Sequence, residues 1–101
     1  MAYAVIRIYN NVPTLVDTFM AHEGEVITLL RGVPGFRNWG LVRTPAGGVT
    51  TTICDDKTGC DESVRVAAEV VKTYMPADIQ PPTVIEGEAL RRVTPEEVVA
   101  Y

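Results

Sequence analysis

The order in which the hydrophobic period changes along the chain constrains the fold most. Over 101 residues it reads two, 3.6, two, two, 3.6, two, with little chain to spare. Residues 2–9 alternate, with Ala4, Ile6 and Ile8 on one side and Tyr3, Val5, Arg7 and Tyr9 on the other. Neither side is wholly polar, so this strand needs cover on both. Pro13 suits a first helical turn. A helix is predicted over residues 13–30, where Leu15, Val16, Phe19, Met20, Val26, Ile27 and Leu30 share one broad arc. Gly24 weakens its middle, and Gly32-Val-Pro-Gly35 stops it.

A second strand follows over residues 36–43, with Phe36, Asn38, Gly40 and Val42 on one side and Arg37, Trp39, Leu41 and Arg43 on the other. Thr44-Pro-Ala-Gly-Gly48 is turn chemistry, and the β-branched run over 49–54 closes a hairpin. Asp55-Asp-Lys-Thr-Gly59 reads as a polar loop. The next helix is predicted to start near Cys60 or Asp61, with Thr58 and Asp61 as a capping box. Val64, Ala67, Ala68, Val71, Tyr74 and Met75 form its apolar stripe, and Pro76 ends it. The fourth strand spans 83–88. This β-α-β-β-α-β order predicts an α+β, ferredoxin-like domain over residues 1–101: a four-stranded antiparallel sheet with its helices on one face. Residues 89–101 form a C-terminal tail, where Thr94-Pro95-Glu96-Glu97 has the chemistry of a short helix start.

Two helices cover one face of such a sheet. The other face is expected to carry some of Tyr3, Val5, Tyr9, Trp39 and Leu41, an apolar patch that a second copy would bury in a two-fold homodimer. Other partners are disfavoured. The net charge is −4 and there is no basic run, which argues against nucleic acid. No apolar run is long enough to span a bilayer. The N-terminal residues lack a signal-peptide pattern, so a cytoplasmic location is the default expectation. Cys54 and Cys60 make neither a CxxC nor a disulfide framework, and reduced thiols are expected. With one histidine and two cysteines, no metal site is predicted.

Three segments carry a family resemblance: Val33-Pro-Gly-Phe-Arg-Asn-Trp-Gly-Leu-Val-Arg43, Thr51-Thr-Ile-Cys-Asp-Asp56 and Glu62-Ser-Val-Arg-Val-Ala-Ala-Glu69. Over about residues 3–88 the chain resembles the dimeric α/β-barrel proteins, and within them the antibiotic-biosynthesis-monooxygenase-like domains. The resemblance implies a homodimer whose two sheets form a barrel, with a pocket in each subunit between helices and sheet. Its members include cofactor-free oxygenases of aromatic polyketides, haem-degrading enzymes, lactone isomerases and domains of no assigned role. The haem-degrading type has a Trp late in strand three and a His in the region after it. Here Ile53 and Cys54 end that strand, and residues 60–75 contain no His. Haem is therefore not expected, and neither is any other cofactor.

Several residues could carry chemistry. On a continuous helix Glu23 falls within the apolar arc and His22 at its edge. A desolvated carboxylate there would suit proton transfer, whereas a helix broken at Gly24 would turn both into water. Asn38 could steady a developing oxyanion. Trp39 could stack on a flat ring, or could anchor a dimer interface instead. Phe19 would line the same substrate layer. Arg7, Arg37 and Arg43 could hold an anion through the guanidinium fork, although Arg7 and Arg43 are expected to pair with Glu86 and Glu88. Two readings result. One is a small-molecule-binding protein, of cofactor-independent monooxygenase or isomerase type, acting on a flat aromatic or polyketide-like compound. The other is a non-catalytic structural or stress-related binding dimer.

Overall fold

The computed structural model describes residues 1–76 and 79–101. The element order is β1 (Tyr3–Tyr9), α1 (Leu15–Ala21), α2 (Glu23–Arg31), β2 (Phe36–Thr44), β3 (Gly47–Cys54), α3 (Lys57–Tyr74) and β4 (Thr83–Glu88), followed by a small hairpin of β5 (Arg91–Val93) and β6 (Val98–Ala100). The main sheet has the order β2-β3-β1-β4 and is antiparallel throughout. The helices pack on one of its faces. This is the ferredoxin-like α+β fold, with β1 in the interior of the sheet.

The first helix is two helices. His22, at φ −114° and ψ 25°, leaves helical geometry, and its N–H bonds back to the Thr18 and Phe19 carbonyls. The phase restarts there. Leu15, Val16 and Phe19 are buried from α1, and Val26 and Leu30 from α2, while Met20 turns out to solvent.

Strand β2 also departs from simple alternation. Its pairing jumps from Phe36 opposite Cys54 to Asn38 opposite Ile53, so Arg37 is an extra, bulged residue. One inserted residue reverses the phase, and Phe36 joins Trp39 and Leu41 on the helix side.

The two faces of β1 are the reverse of what its composition suggests. Val5, Arg7 and Tyr9 are buried beneath the helices, and Tyr3 packs with them. Trp39 and Leu41 also pack on this side. The open face instead carries Ala4, Ile6 and Ile8, with Val49, Thr51 and Ile53 opposite on β3, Val42 on β2 and Ile85 on β4. Both sides of β1 are apolar, so alternation cannot choose between them. Neighbours choose. Gly48, opposite Tyr9, lets α1 close on this face, because a Cβ there would stand 3.0 Å from Val16 and 3.1 Å from Leu15.

Helix α3 begins several residues earlier than its apolar stripe suggests. Asp56, in extended geometry, is the N-cap and accepts a 3.0 Å hydrogen bond from the Gly59 N–H. The Thr58–Asp61 box does not form; Asp61 pairs with Lys57 instead. Gly59 is required where this first turn meets the sheet, since a Cβ would run into the Pro34 carbonyl and the Cys54 side chain. Asp56→Ala is expected to destabilise the domain by about 1 kcal/mol, measured by urea unfolding at neutral pH.

The predicted terminal helix is replaced by the β5–β6 hairpin. Thr94 uses its capping chemistry to close that turn: its N–H donates to the Glu97 carbonyl, and its hydroxyl accepts from the Glu97 N–H. The chain end folds back on its own subunit, with the Asn38 amide 3.4 Å from the Tyr101 hydroxyl and Arg37 over the Tyr101 ring.

Cys54 and Cys60 are free and fully buried. Burial, aided by the neighbouring Cys60, pushes the Cys54 thiol up to about 12, and Cys60 Sγ donates to the Tyr3 carbonyl at 3.2 Å. Thiols held protonated and away from solvent are packing groups rather than nucleophiles.

Candidate functional site

A core layer between helices and a sheet is normally apolar. Here the layer contains a guanidinium. Arg7 sits mid-strand on the buried side of β1, 4% exposed, between Val5 and Tyr9. Its Nη1 donates to the Val64 carbonyl of α3 at 3.1 Å, and its Nε has no partner among the described residues. The guanidinium carbon lies 5.5 Å from the centre of the Tyr9 ring. The Tyr9 hydroxyl, on a side chain 1% exposed, is likewise without a partner. Burial pushes this phenol's pKa up, with Arg7 pulling the other way, so at neutral pH it is a neutral donor. Among the described residues, no carboxylate lies within ion-pair distance of Arg7.

Arg7 and Tyr9 open onto a small internal cavity of about 20 Å³, room for a single water. Thr50 and Thr52 of β3 and Ser63 of α3, all buried, add hydroxyls to its wall. The apolar wall comes from Val26 and Leu30 of α2, Val66 and Val70 of α3, and an aromatic pair. In that pair Phe19 and Trp39 meet edge to face, their centroids 6.2 Å apart and their planes at 82°. The arrangement is expensive. An unpaired buried donor or acceptor costs about 1–3 kcal/mol, and a buried charge costs several more unless it is paired. What it offers chemically is a preorganised cation and a phenol donor against a flat aromatic wall in a low-dielectric space.

The residues singled out in the sequence divide among several places. Phe19 and Trp39 line the cavity. Glu23, Asn38 and Trp39 share an open groove of about 370 Å³ between α2 and the edge strand β2, with Leu30 and Phe36 at its base. Glu23 is exposed there, so the desolvation that would fit it for proton transfer is absent. His22 stands apart at the α1–α2 break. It stacks on Tyr74 with ring centres 3.7 Å apart, its Nδ1 3.8 Å from Glu25. Arg37 is held at the sheet end by Asp55 at 2.6 Å and by the Tyr101 ring. Arg43 pairs with Asp17 of α1 rather than with a glutamate of β4.

The expected partner of Arg7 is engaged elsewhere. Glu86 lies opposite Val5, but its carboxylate meets Lys57 at 3.5 Å and the Tyr3 hydroxyl at 3.4 Å. The signal for Arg7 lies within β1 itself: a guanidinium sharing a strand face with Val5 and Tyr9, and bracketed by two isoleucines.

No protein-family model matches the sequence, and no curated protein matches it by sequence. Solved structures match its fold. A monooxygenase of Streptomyces coelicolor, the ActVA-Orf6 product in complex with nanaomycin D, superposes with a TM-score of 0.65 at 19% identity, over 93% of this chain and 91% of its own. A Nitrosomonas europaea protein of unknown function gives 0.64 at 15% identity, over 93% of each chain. A dimeric ferredoxin-like protein of unknown function from Jannaschia gives 0.56 at 13% identity, over 87% of this chain and 98% of its own. At such identities the likeness is one of fold. One of these neighbours is a monooxygenase and two are of unknown function, one of those ferredoxin-like. Among the described residues, no helix is long and apolar enough to cross a membrane, and no group of side chains is arranged to hold a metal ion.

Proposed function

We propose that this chain is a small-molecule-binding homodimer whose ligand is a flat organic compound held in the helix–sheet layer, with cofactor-independent monooxygenation as its chemistry. One observation carries the reading: a buried guanidinium and a buried phenol, each with an unsatisfied donor, face the same cavity beside the Phe19–Trp39 wall. Packing alone gives no reason to keep either group there, whereas a polar ligand oxygen would satisfy both. The Streptomyces structure of the same fold holds nanaomycin D, which supports a small organic ligand here. The Jannaschia structure is of a dimer, and the apolar open face of the sheet supports the same assembly here.

In this reading a ligand displaces Phe19, Val26 and Leu30. The wall that must yield consists of two short helices that break at His22, and short helices are held mainly by their packing. Glu23 and His22 lie outside the layer and supply no base to it. A substrate must therefore give up its proton to water and bind as the carbanion or enolate, with Arg7 and Tyr9 on its oxygen. For a ring CH₂ flanked by aryl groups, O₂ takes four electrons: one oxygen becomes the ring carbonyl and the other leaves as water.

The same absence of a base favours a second reading, a binding dimer without turnover. Oxygen uptake with an anthrone-type ketone separates the two. Uptake above the uncatalysed rate, lost in Arg7→Met and retained in Glu23→Gln, is the expected result. Ligand-dependent stabilisation with no uptake selects the binding dimer. Neither binding nor uptake would remove the helix–sheet layer as a site.

A further inference from the structure

Arg7 lines a second space besides the internal cavity. A groove of about 310 Å³ lies between α3 on one side and Ile79 and Pro82 on the other, with Arg7 and Lys72 among its lining residues. Val71, Met75, Ile79 and Pro82 supply apolar wall. Its volume is in the range of small-molecule sites. Both charged groups among its described lining residues are cations, in a protein whose net charge is −4. The α2–β2 groove, by contrast, carries one charge of each sign, Glu23 and Arg31.

We infer that the ligand is an amphipathic organic monocarboxylate, its carboxylate on Arg7 and its apolar body along the α3–β4 groove past Lys72. The inference rests on reading Arg7 as a ligand-binding group, and not on oxygenation. A planar guanidinium offers paired N–H donors that match a carboxylate. Here one donor is spent on Val64 and Nε is free. A carboxylate arriving at Arg7 neutralises a charge without a counter-ion among the described residues, in surroundings where such bonds gain strength. Tyr9 supplies a second donor from the cavity side. Lys72, on the exposed side of α3, attracts the anion without being buried by it, so its contribution is sensitive to salt.

The test is calorimetric titration of the full chain with naphthalene-2-carboxylate, octanoate and the uncharged naphthalene-2-carboxamide, at low and high salt. The wild type is compared with Arg7→Met, Arg7→Lys and Lys72→Gln. The expected result is that a carboxylate binds and the amide binds about 10- to 100-fold more weakly, the range for a lost charge-assisted hydrogen bond. Arg7→Met should lose that discrimination and Arg7→Lys should restore part of it. Lys72→Gln should weaken binding a few-fold at low salt only. Equal binding of carboxylate and amide, unchanged in Arg7→Met, would overturn the inference while leaving the layer as a site for neutral compounds. Failure of both carboxylates to bind, with an anthrone-type ketone binding, has the same meaning. If no compound binds, both this inference and the proposed function fall.

Discussion

Arg7→Met raises the stability of the unliganded protein. Substitutions usually destabilise, so the sign is informative. The guanidinium has one hydrogen bond, an unpartnered Nε and the Tyr9 ring as its nearest compensation. A cation over an aromatic face returns about 0.5–2 kcal/mol, less than the several kcal/mol of desolvation for a buried ion. Methionine is flexible and can fill the same channel between β1 and α3. The expected gain is about 1 kcal/mol, typical of stabilising changes at strained functional positions. In a chain of this size that is about 4–8 °C in thermal midpoint by calorimetry. A midpoint that falls by a similar amount would make Arg7 a structural residue and take away the main support for a ligand site. The same experiment on Tyr9→Phe, which removes a buried hydroxyl without a partner among the described residues, should also raise the midpoint, by about 1 kcal/mol of stability.

Ile6→Glu is expected to convert the proposed homodimer to a monomer. Ile6 lies at the centre of the open face, opposite Thr51 of β3 and Ile85 of β4, and Ile85 is 52% exposed in a single chain. Ile8, Val49, Ile53 and Val42 extend the patch along the sheet. Each large aliphatic side chain buried there contributes about 1.5–3 kcal/mol. In the proposed homodimer each copy carries the substitution, so one change places two carboxylates in the interface. Like charges facing across an interface cost several kcal/mol, which corresponds to an affinity loss on the order of 100-fold or more. Sedimentation velocity at micromolar concentration should show two chains for the wild type and one folded chain for the variant. A wild type that sediments as one chain at that concentration would refute the dimer.

The element order was legible because each segment of the sequence keeps one period for long enough to be read. Strand β1 and α3 are the clearest cases, although α3 buries Cys60, Ser63, Val66 and Val70, one step round from the expected Val64, Ala67, Ala68 and Val71, of which Ala68 is exposed. The faces of the sheet were not legible, for two physical reasons. Tyr3, Val5 and Tyr9 are no more apolar as a set than Ala4, Ile6 and Ile8, so burial beneath helices and burial against another sheet write the same pattern. The bulge at Arg37 is one residue that no composition marks, and it moves Phe36 to the side of Trp39. Backbone detail decided the helix ends. A break at His22 split the first helix, and Asp56 capped α3 where Thr58 had the more familiar spacing. Thr94 began a hairpin turn with the same hydroxyl chemistry that begins helices. In the site, Phe19 was readable on the buried arc of its helix, whereas Trp39 was expected on the open face and packs on the helix side. Glu23 was not readable, because its position depended on helix continuity. Arg7 was misjudged because pairing with Glu86 is a question of which partner gets there first, and Lys57 and Tyr3 do.

Strand β1 is a partition wall one residue thick. Its odd-numbered side chains from Tyr3 to Tyr9 belong to one compartment and its even-numbered ones to another, and neighbouring letters in the chain answer to different demands. Variation at Val5, Arg7 and Tyr9 would tune what the interior accepts, while variation at Ala4, Ile6 and Ile8 would tune what the outside of the sheet meets. Single substitutions can therefore explore either property without disturbing the other. A one-residue insertion or deletion cannot, because it exchanges the two sets at once: Arg7 would move to the open face and an isoleucine into the chamber. The length of this strand is thus held more tightly than the identity of any residue in it.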